Sequence, residues 1–315
     1  MKLVIQIPCY NEAQTLPETL QDLPRAITGL DEIEWLVIDD GSQDNTAEVA
    51  ESLGVDHVIS LPQNRGLARA FLAGLDAAVA LGADIIVNTD GDNQYAGADI
   101  PKLLQPILEG RADIVIGDRQ TDKIAHFSRS KRIMQWFGSG VVRKLAGIWV
   151  PDVVSGFRAF SREAAIRTNI VSSFSYTIET VIQAGKKQLA VSSVPVETNP
   201  KTRESRLASS MPRFIQRQLN TMVRMYSMYQ PLRVFFAIGL VLSVAGIVPI
   251  VRFLFFYFSG QGSGHIQSLI LGGTLTVLGF ITFLIALLAD LIGFNRQLLE
   301  TLLEKLRRIE LRDRD

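Results

Sequence analysis

Asp90, Asp92 and Gln94 alternate with Gly91 and Asn93 directly behind the apolar run 84–88. On an extended segment alternate side chains point the same way, so three oxygen-bearing groups can face one point. Hard divalent cations take such ligands, and magnesium uses one or two carboxylates together with substrate phosphates. The same spacing occurs in plain surface turns. Here, though, two carboxylates close a buried-looking strand, and a cation relieves their mutual repulsion. A second acidic pair, Asp39 and Asp40, follows the run 34–38, and Gly41 with Ser42 gives a tight turn. One of these carboxylates can accept from a nucleobase or ribose, and the other can cap the helix that follows. Behind the run 3–7 come Pro8, Tyr10 and Glu12. Tyr10 can stack on a base, while Glu12 can accept from a ribose hydroxyl or complement the first turn of a helix. Cys9 reads as a small packed residue, not a nucleophile. Neither GxGxxG nor GxxxxGK[ST] occurs, which counts against a dinucleotide or P-loop site.

These residues need a scaffold that gathers them. Residues 3–7, 34–38, 57–61, 84–88 and 113–117 are short runs rich in β-branched side chains, and 12–26, 45–53, 67–81 and 99–109 have helical spacing. Strands alternating with helices predict an α/β fold, with right-handed crossovers and a mainly parallel sheet covered on both faces. Ligands of open α/β sheets bind outside the carboxyl ends of the strands. The polar clusters sit at those ends, so they should meet along one edge.

The chain has 315 residues, 47% hydrophobic, with 32 basic and 32 acidic side chains. A balanced charge argues against a nucleic-acid binder. One cysteine and three scattered histidines (His57, His126, His265) exclude a disulfide framework and a Cys/His metal cluster. From Pro212 onward, 11 basic residues face 6 acidic ones, against 21 and 26 in the first 211. Two nearly charge-free runs, 234–251 (continuing apolar to 258) and 266–289, are long enough to cross a bilayer, which takes about 20 apolar residues. Arg213, Arg217, Arg224 and Arg233 accompany the start of the first run, and six Lys or Arg residues follow the second. The connector 259–265 has neither Lys nor Arg. The positive-inside rule then predicts a multi-pass protein of the inner (plasma) membrane, with both termini and the front domain cytoplasmic. Residues 3–7 are too short for a secretory signal. Between 211 and 231, Arg213, Arg217, Asn220 and Arg224 fall on one helical face, opposite Ile215, Leu219, Met222, Tyr226 and Tyr229. That pattern suits an interfacial amphipathic helix.

Taken in order, PCYNE, VIDDGSQDNT, NRGLARA, NTDGDNQ, IGDR, DVVSGFR and KTRESRL resemble glycosyltransferase family 2, and the full set is similar to its dolichyl- or polyprenyl-phosphate sugar synthases over residues 3–207. The resemblance implies a GT-A-like catalytic domain over 1–210; the charge and hydropathy pattern places the juxtamembrane helix at 211–231, two transmembrane helices in 232–293, and a cytoplasmic C-terminal helix over 294–315. The resemblance also implies site residues. Pro8, Tyr10, Glu12 and Asp39 match the nucleotide-binding positions. Asp90, Asp92 and Gln94 match the ligands of Mg2+ or Mn2+ and of the diphosphate. Arg119 matches the arginine behind the fifth strand, Asp152 and Ser155 to Arg158 the acceptor loop, and Arg203, Ser205 and Arg206 a phosphate-handling signature whose last Lys is replaced here by Arg. Lys131 and Gln135 stand where the family has Arg and Ser. The Gln-x-x-Arg-Trp signature of processive polysaccharide synthases is absent.

The implied activity is inverting, metal-dependent transfer of one sugar from a UDP- or GDP-linked donor to a polyprenyl phosphate, with a homo-oligomer as a further expectation. Asp152 is expected to position the acceptor or link to the metal, and less to act as a base. A hydroxyl acceptor on a glycan or glycolipid, or a non-catalytic membrane scaffold, are the alternatives.

Overall fold

The computed structural model describes residues 1–120, 140, 142–143, 146–171, 176–200, 216, 223–224, 226–260 and 262–312. The chain divides into two compact units, Met1–Met222 with Glu304–Asp315, and Val223–Leu303.

The first unit is built on a seven-stranded sheet in the order β3-β2-β1-β4-β6-β5-β7. Its strands are β1 (Lys2–Cys9), β2 (Glu32–Asp39), β3 (His57–Ser60), β4 (Ile85–Asn88), β5 (Ile114–Asp118), β6 (Arg158–Ser161) and β7 (Val191–Pro195). All neighbouring pairs are parallel except those made by β6, which runs antiparallel to both β4 and β5. Among the described residues, the helices of this unit include α1 (Leu16–Asp22), α2 (Thr46–Ser52), α3 (Leu67–Ala80), α4 (Ile100–Leu108), α5 (Arg162–Arg167) and α6 (Tyr176–Lys186). The central strands β1 and β4 are buried almost throughout, as expected of parallel strands covered on both faces. Leu3, Ile5 and Ile7 pack with Val37, Ile85, Val87, Leu103 and Leu104 on one face. On the other, Phe71 of α3 stacks on Tyr176 with ring centroids 4.0 Å apart and tilts against Phe160 at 5.8 Å.

The predicted helix over 12–26 is shorter than its periodicity suggests. Pro24 forces Leu23 into an extended conformation (φ −82°, ψ 135°), which ends α1 at Asp22. Strand β6, helices α5 and α6, and strand β7 were not anticipated. The first two are four and six residues long, too short to show a period.

Residues 304–312 belong to this unit through charged contacts. Glu304 pairs with Lys187 Nζ at 2.7 Å. Arg307 Nη1 donates to the carbonyls of Ile166 and Thr168, both at 2.9 Å, while its Nη2 pairs with Asp76 at 3.0 Å. Arg308 pairs with Glu163.

The second unit consists mainly of two helices, α7 (Pro231–Phe258) and α8 (Ile266–Arg312), the latter leaving the unit at Leu303. Both are long and apolar enough to cross a membrane, and only 11% of each apolar window is buried. Core helices of a water-soluble fold would bury theirs, so the apolar surface of this pair calls for lipid. Small residues let the backbones approach. A Cβ on Gly246 would lie 2.5 Å from Thr276 Oγ1 and 2.8 Å from the Gly272 carbonyl, and one on Gly279 would lie 2.3 Å from Ser243 Oγ. Gly273 has nothing within 4 Å of such a position. Gly246→Leu should therefore separate the helices and lower the melting temperature in detergent, whereas Gly273→Leu should leave it unchanged. Equal effects of the two in a thermal melt would remove the glycine contact from the account.

Candidate active site

The strand order reverses direction at the boundary of β1 and β4, opening a crevice at their carboxyl ends. Three further loops reach this edge. Those leaving β2 and β5 do so because their strands are parallel to β1 and β4. The loop entering β6 does so because β6 is antiparallel, so its first residue, Arg158, lies opposite Asn88, the last residue of β4.

Local hydrogen bonds hold the first two loops together. Asn11 adopts a left-handed backbone (φ 54°), which Asn tolerates better than most residues. Its N–H donates to Ser42 Oγ at 2.8 Å, and its side-chain oxygen accepts from Gln43 N at 2.7 Å. Asp39 Oδ1 accepts from Ser42 N at 3.0 Å. Asp40 accepts from the N–H groups of Arg65 and Gly66, both at 2.8 Å, and so braces the turn into α3 and not the helix that follows it. Burial raises the Asp40 pKa, and those two hydrogen bonds oppose it. Gly41 has φ +66° and packs so tightly that a Cβ would sit 2.5 Å from the Gln63 carbonyl carbon, so no other residue fits this turn. Glu12 is 8% exposed and its Oε2 lies 2.8 Å from the Thr15 hydroxyl. A cleft of about 400 Å³ is lined by Glu12, Thr15, Gln43, Asp44 and their neighbours, but by none of Pro8, Tyr10, Asp39, Asp90 and Asp92. Pro8 is buried within β1, and Tyr10 is half-buried just beyond its end. Cys9 is buried, and burial with nearby Glu12 pushes its thiol pKa well up, as suits a packed residue.

Beyond β4 the backbone is not extended: it turns at residues 91–93, and Asn93 is left-handed (φ 52°). Burial nevertheless alternates. Asp90, Asp92 and Gln94 are half-buried, while Gly91, Asn93 and Tyr95 are buried. Among the described residues no three His, Cys, Asp or Glu side chains converge on a point that could hold an ion. The candidate set is two carboxylates and one amide, the hard-oxygen donors that Mg2+ or Mn2+ accepts when phosphates complete its shell. The space beside Asp90 also fits this use. A Cβ on Gly156 would sit 3.1 and 3.2 Å from the two Asp90 carboxylate oxygens and 2.9 Å from the Tyr176 hydroxyl. Only a glycine there leaves the carboxylate its room.

Gly156 is clasped on both sides. Its N–H donates to Tyr95 Oη at 2.9 Å, and its carbonyl accepts from Asn88 Nδ2 at 2.8 Å. Asn88 Nδ2 also lies 3.1 Å from Tyr176 Oη, and Asn88 Oδ1 accepts from Gln6 Nε2 at 2.8 Å. Burial pushes the Tyr95 phenol up to about 12, so it stays neutral, and its ring stacks on Phe157 at 5.0 Å. Asn88, Tyr95 and Tyr176 did not stand out in the sequence. The legible signal was an asparagine ending an otherwise apolar strand.

The loop ahead of Gly156 is held by two arginines. Arg119 donates from Nε to Asp152 Oδ2 at 2.6 Å and from Nη2 to Oδ1 at 3.0 Å. Burial alone would lower the Arg119 pKa, but the Asp152 and Asp90 carboxylates together raise it. Asp152 is 1% exposed with both oxygens engaged by Arg119, an arrangement that holds the loop in position. Arg158 is wholly buried and donates to three carbonyls, Ser155 at 2.8 Å, Thr177 at 2.9 Å and Val153 at 2.7 Å. Burial lowers its pKa to about 10, so it remains charged at neutral pH. Ser155 is fully buried, and its hydroxyl has no hydrogen-bond partner among the described residues. Arg203, Ser205, Arg206, Lys131 and Gln135 lie outside the described residues, as does most of 211–231.

Residues 4–168 match the profile of Glycosyl transferase family 2. An undecaprenyl-phosphate mannosyltransferase of Micrococcus luteus is 31% identical over 184 residues, covering 56% of this chain and 74% of that protein. A UDP-N-acetylglucosamine–dolichyl-phosphate N-acetylglucosaminyltransferase of Methanococcus voltae is also 31% identical, over 61% of this chain and 83% of its own. Glucosyl-3-phosphoglycerate synthase of Mycobacterium tuberculosis, solved with Mn2+, UDP-glucose and phosphoglyceric acid, shares the fold at a TM-score of 0.55 and 22% identity, over 70% of this chain and 79% of that one. The chain therefore belongs to glycosyltransferase family 2 and has its GT-A-like fold. It is a glycosyltransferase with polyprenyl-phosphate sugar synthases among its homologues.

Because Gly156 borders Asp90, Gly156→Ala should weaken Mn2+ binding by about tenfold, the effect of 1–2 kcal/mol of overpacking. Mn2+ titration followed by electron paramagnetic resonance, without turnover, reads this directly. Unchanged affinity in a folded variant would separate Gly156 from the ion.

Proposed function

We propose that the enzyme transfers a single sugar from a nucleotide-diphosphate donor to a polyprenyl phosphate at the cytoplasmic face of the membrane, with inversion at the anomeric carbon. The observation that carries this reading is the Gly156 clasp, which joins the loop bearing Asp90 to the loop bearing Asp152. Donor and acceptor groups then share one rigid frame. Relatives whose names give a polyprenyl or dolichyl phosphate support the choice of acceptor. The donor is assigned to a UDP- or GDP-linked sugar.

Cleavage of the anomeric bond leaves negative charge on the departing diphosphate. Asp90, Asp92 and Gln94 would hold Mg2+ or Mn2+, which supplies Lewis-acid stabilisation of that charge. Pro8, Tyr10, Glu12 and Asp39 are assigned to the nucleotide. The acceptor, a phosphate monoester with a second pKa near ~6, is mostly dianionic at neutral pH and needs little help from a base. Asp152, gripped by Arg119, orients this half of the site. Arg203, Ser205 and Arg206 are assigned to phosphate, where a fixed guanidinium pairs bidentately. Helices α7 and α8 are assigned to anchor the chain in the membrane. An acceptor confined to the bilayer then meets the site at a raised effective concentration.

The test is incubation of the full chain in membranes with a panel of nucleotide sugars, followed by mass analysis of the lipid. A glycosyl-phosphoryl-polyprenol product is expected, and no product on polyprenyl phosphate with any donor would reject the reading. Asp92→Ala should cut the rate by at least about tenfold, the minimum for losing a charge-stabilising interaction made in the transition state. A residual rate above that, in a folded variant, would remove Asp92 from the metal set.

A further inference from the structure

The loop ahead of Gly156 turns two apolar side chains outward while burying those around them. Trp149 is 64% exposed and Val154 39%, yet Val150, Asp152, Val153 and Ser155 are all at most 3% exposed. Among the described residues of the first unit, no large apolar side chain is more exposed than Trp149. The indole pairs a large apolar ring with a polar N–H, which is why Trp is enriched where one end is apolar and the other wet. It has a charged neighbour as well: the Arg143 guanidinium lies 5.6 Å from the Trp149 ring centroid, within cation–π range.

A flat ring with one polar N–H, beside an exposed cation, has the chemistry of the headgroup boundary. There tryptophan sits among the first acyl carbons and arginine reaches the phosphates. A protein partner would also accept an exposed Trp, but two features favour lipid. The loop carries Asp152 between its two apolar points, so its tip is continuous with the acceptor half of the site. The same chain also carries two helices apolar enough to span a bilayer, so lipid is always at hand.

We propose that Trp149 and Val154, with Arg143, form a tip that inserts into the headgroup boundary of the bilayer and sets the depth at which the Asp152 loop receives a lipid phosphate. The role of the tip in catalysis rests on the lipid acceptor proposed above; its insertion does not. The inserted surface is small, so it docks the loop without anchoring the chain, which α7 and α8 already do.

Tryptophan fluorescence of the full chain in phosphatidylcholine–phosphatidylglycerol nanodiscs tests insertion. The signal of Trp149 is the difference between the wild-type chain and Trp149→Phe, which sets aside Trp35 and Trp136. Acyl chains brominated near the headgroup should quench about half of that difference signal, and chains brominated near the bilayer centre should quench less, as expected for a depth of about 5–10 Å. A difference signal identical in brominated and plain lipid overturns the proposal, even if polyprenyl-phosphate product forms. Quenching without any such product leaves insertion standing and rejects the acceptor. As a second measure, Trp149→Ser should raise KM for membrane-embedded polyprenyl phosphate about fivefold with kcat nearly constant, and Trp149→Tyr, which keeps an amphipathic ring, should restore it. Loss of kcat alone, or no rescue by tyrosine, counts against the tip.

Discussion

One glycine backbone unit ties the two halves of the site. Gly156 is bonded through its N–H to a tyrosine from the loop behind β4 and through its carbonyl to the last residue of β4 itself. Every group in this contact is buried. A buried amide left without a partner costs more than the bond gains, so both halves keep register or both lose it. Asp90 lies against the same glycine. Asp90 and the loop carrying Asp152 are thereby held in register with each other.

The charges around this contact divide by task. Arg158 is wholly buried, donates to three backbone carbonyls, and shapes the loop from within. Arg119 instead pairs with the buried Asp152 carboxylate and so holds the loop ahead of Gly156 from a second side. Both arginines were visible in the sequence, but their different roles were not, because they depend on the direction of β6.

How far the sequence carries an argument varies with the kind of interaction. The parallel half of the sheet was legible because apolar runs of four to eight residues, punctuated by polar turns, leave few alternatives. The acidic alternation at 90, 92 and 94 was legible as a burial pattern, though the backbone beneath it turns instead of running straight. Tyr95 and Tyr176 were not legible, and of Asn88 only its place at the end of an apolar strand was. They act through contacts between residues as much as 88 positions apart, and no local pattern encodes a tertiary hydrogen bond. The two long apolar helices were the plainest feature. Which of their glycines touch the other helix became clear only with the backbones placed side by side.

The catalytic unit is discontinuous along the chain: Met1–Met222 is completed by Glu304–Asp315. The salt links of Glu304, Arg307 and Arg308 to Lys187 just past α6, to α3 and to α5 therefore cannot form while Val223–Leu303 is still being made. At about 5–20 residues per second that interval lasts roughly 4–16 seconds on the ribosome. During it the nascent unit exposes the surface around Asp76, Glu163 and Lys187. Full closure of this unit therefore waits until both long apolar helices have been synthesised.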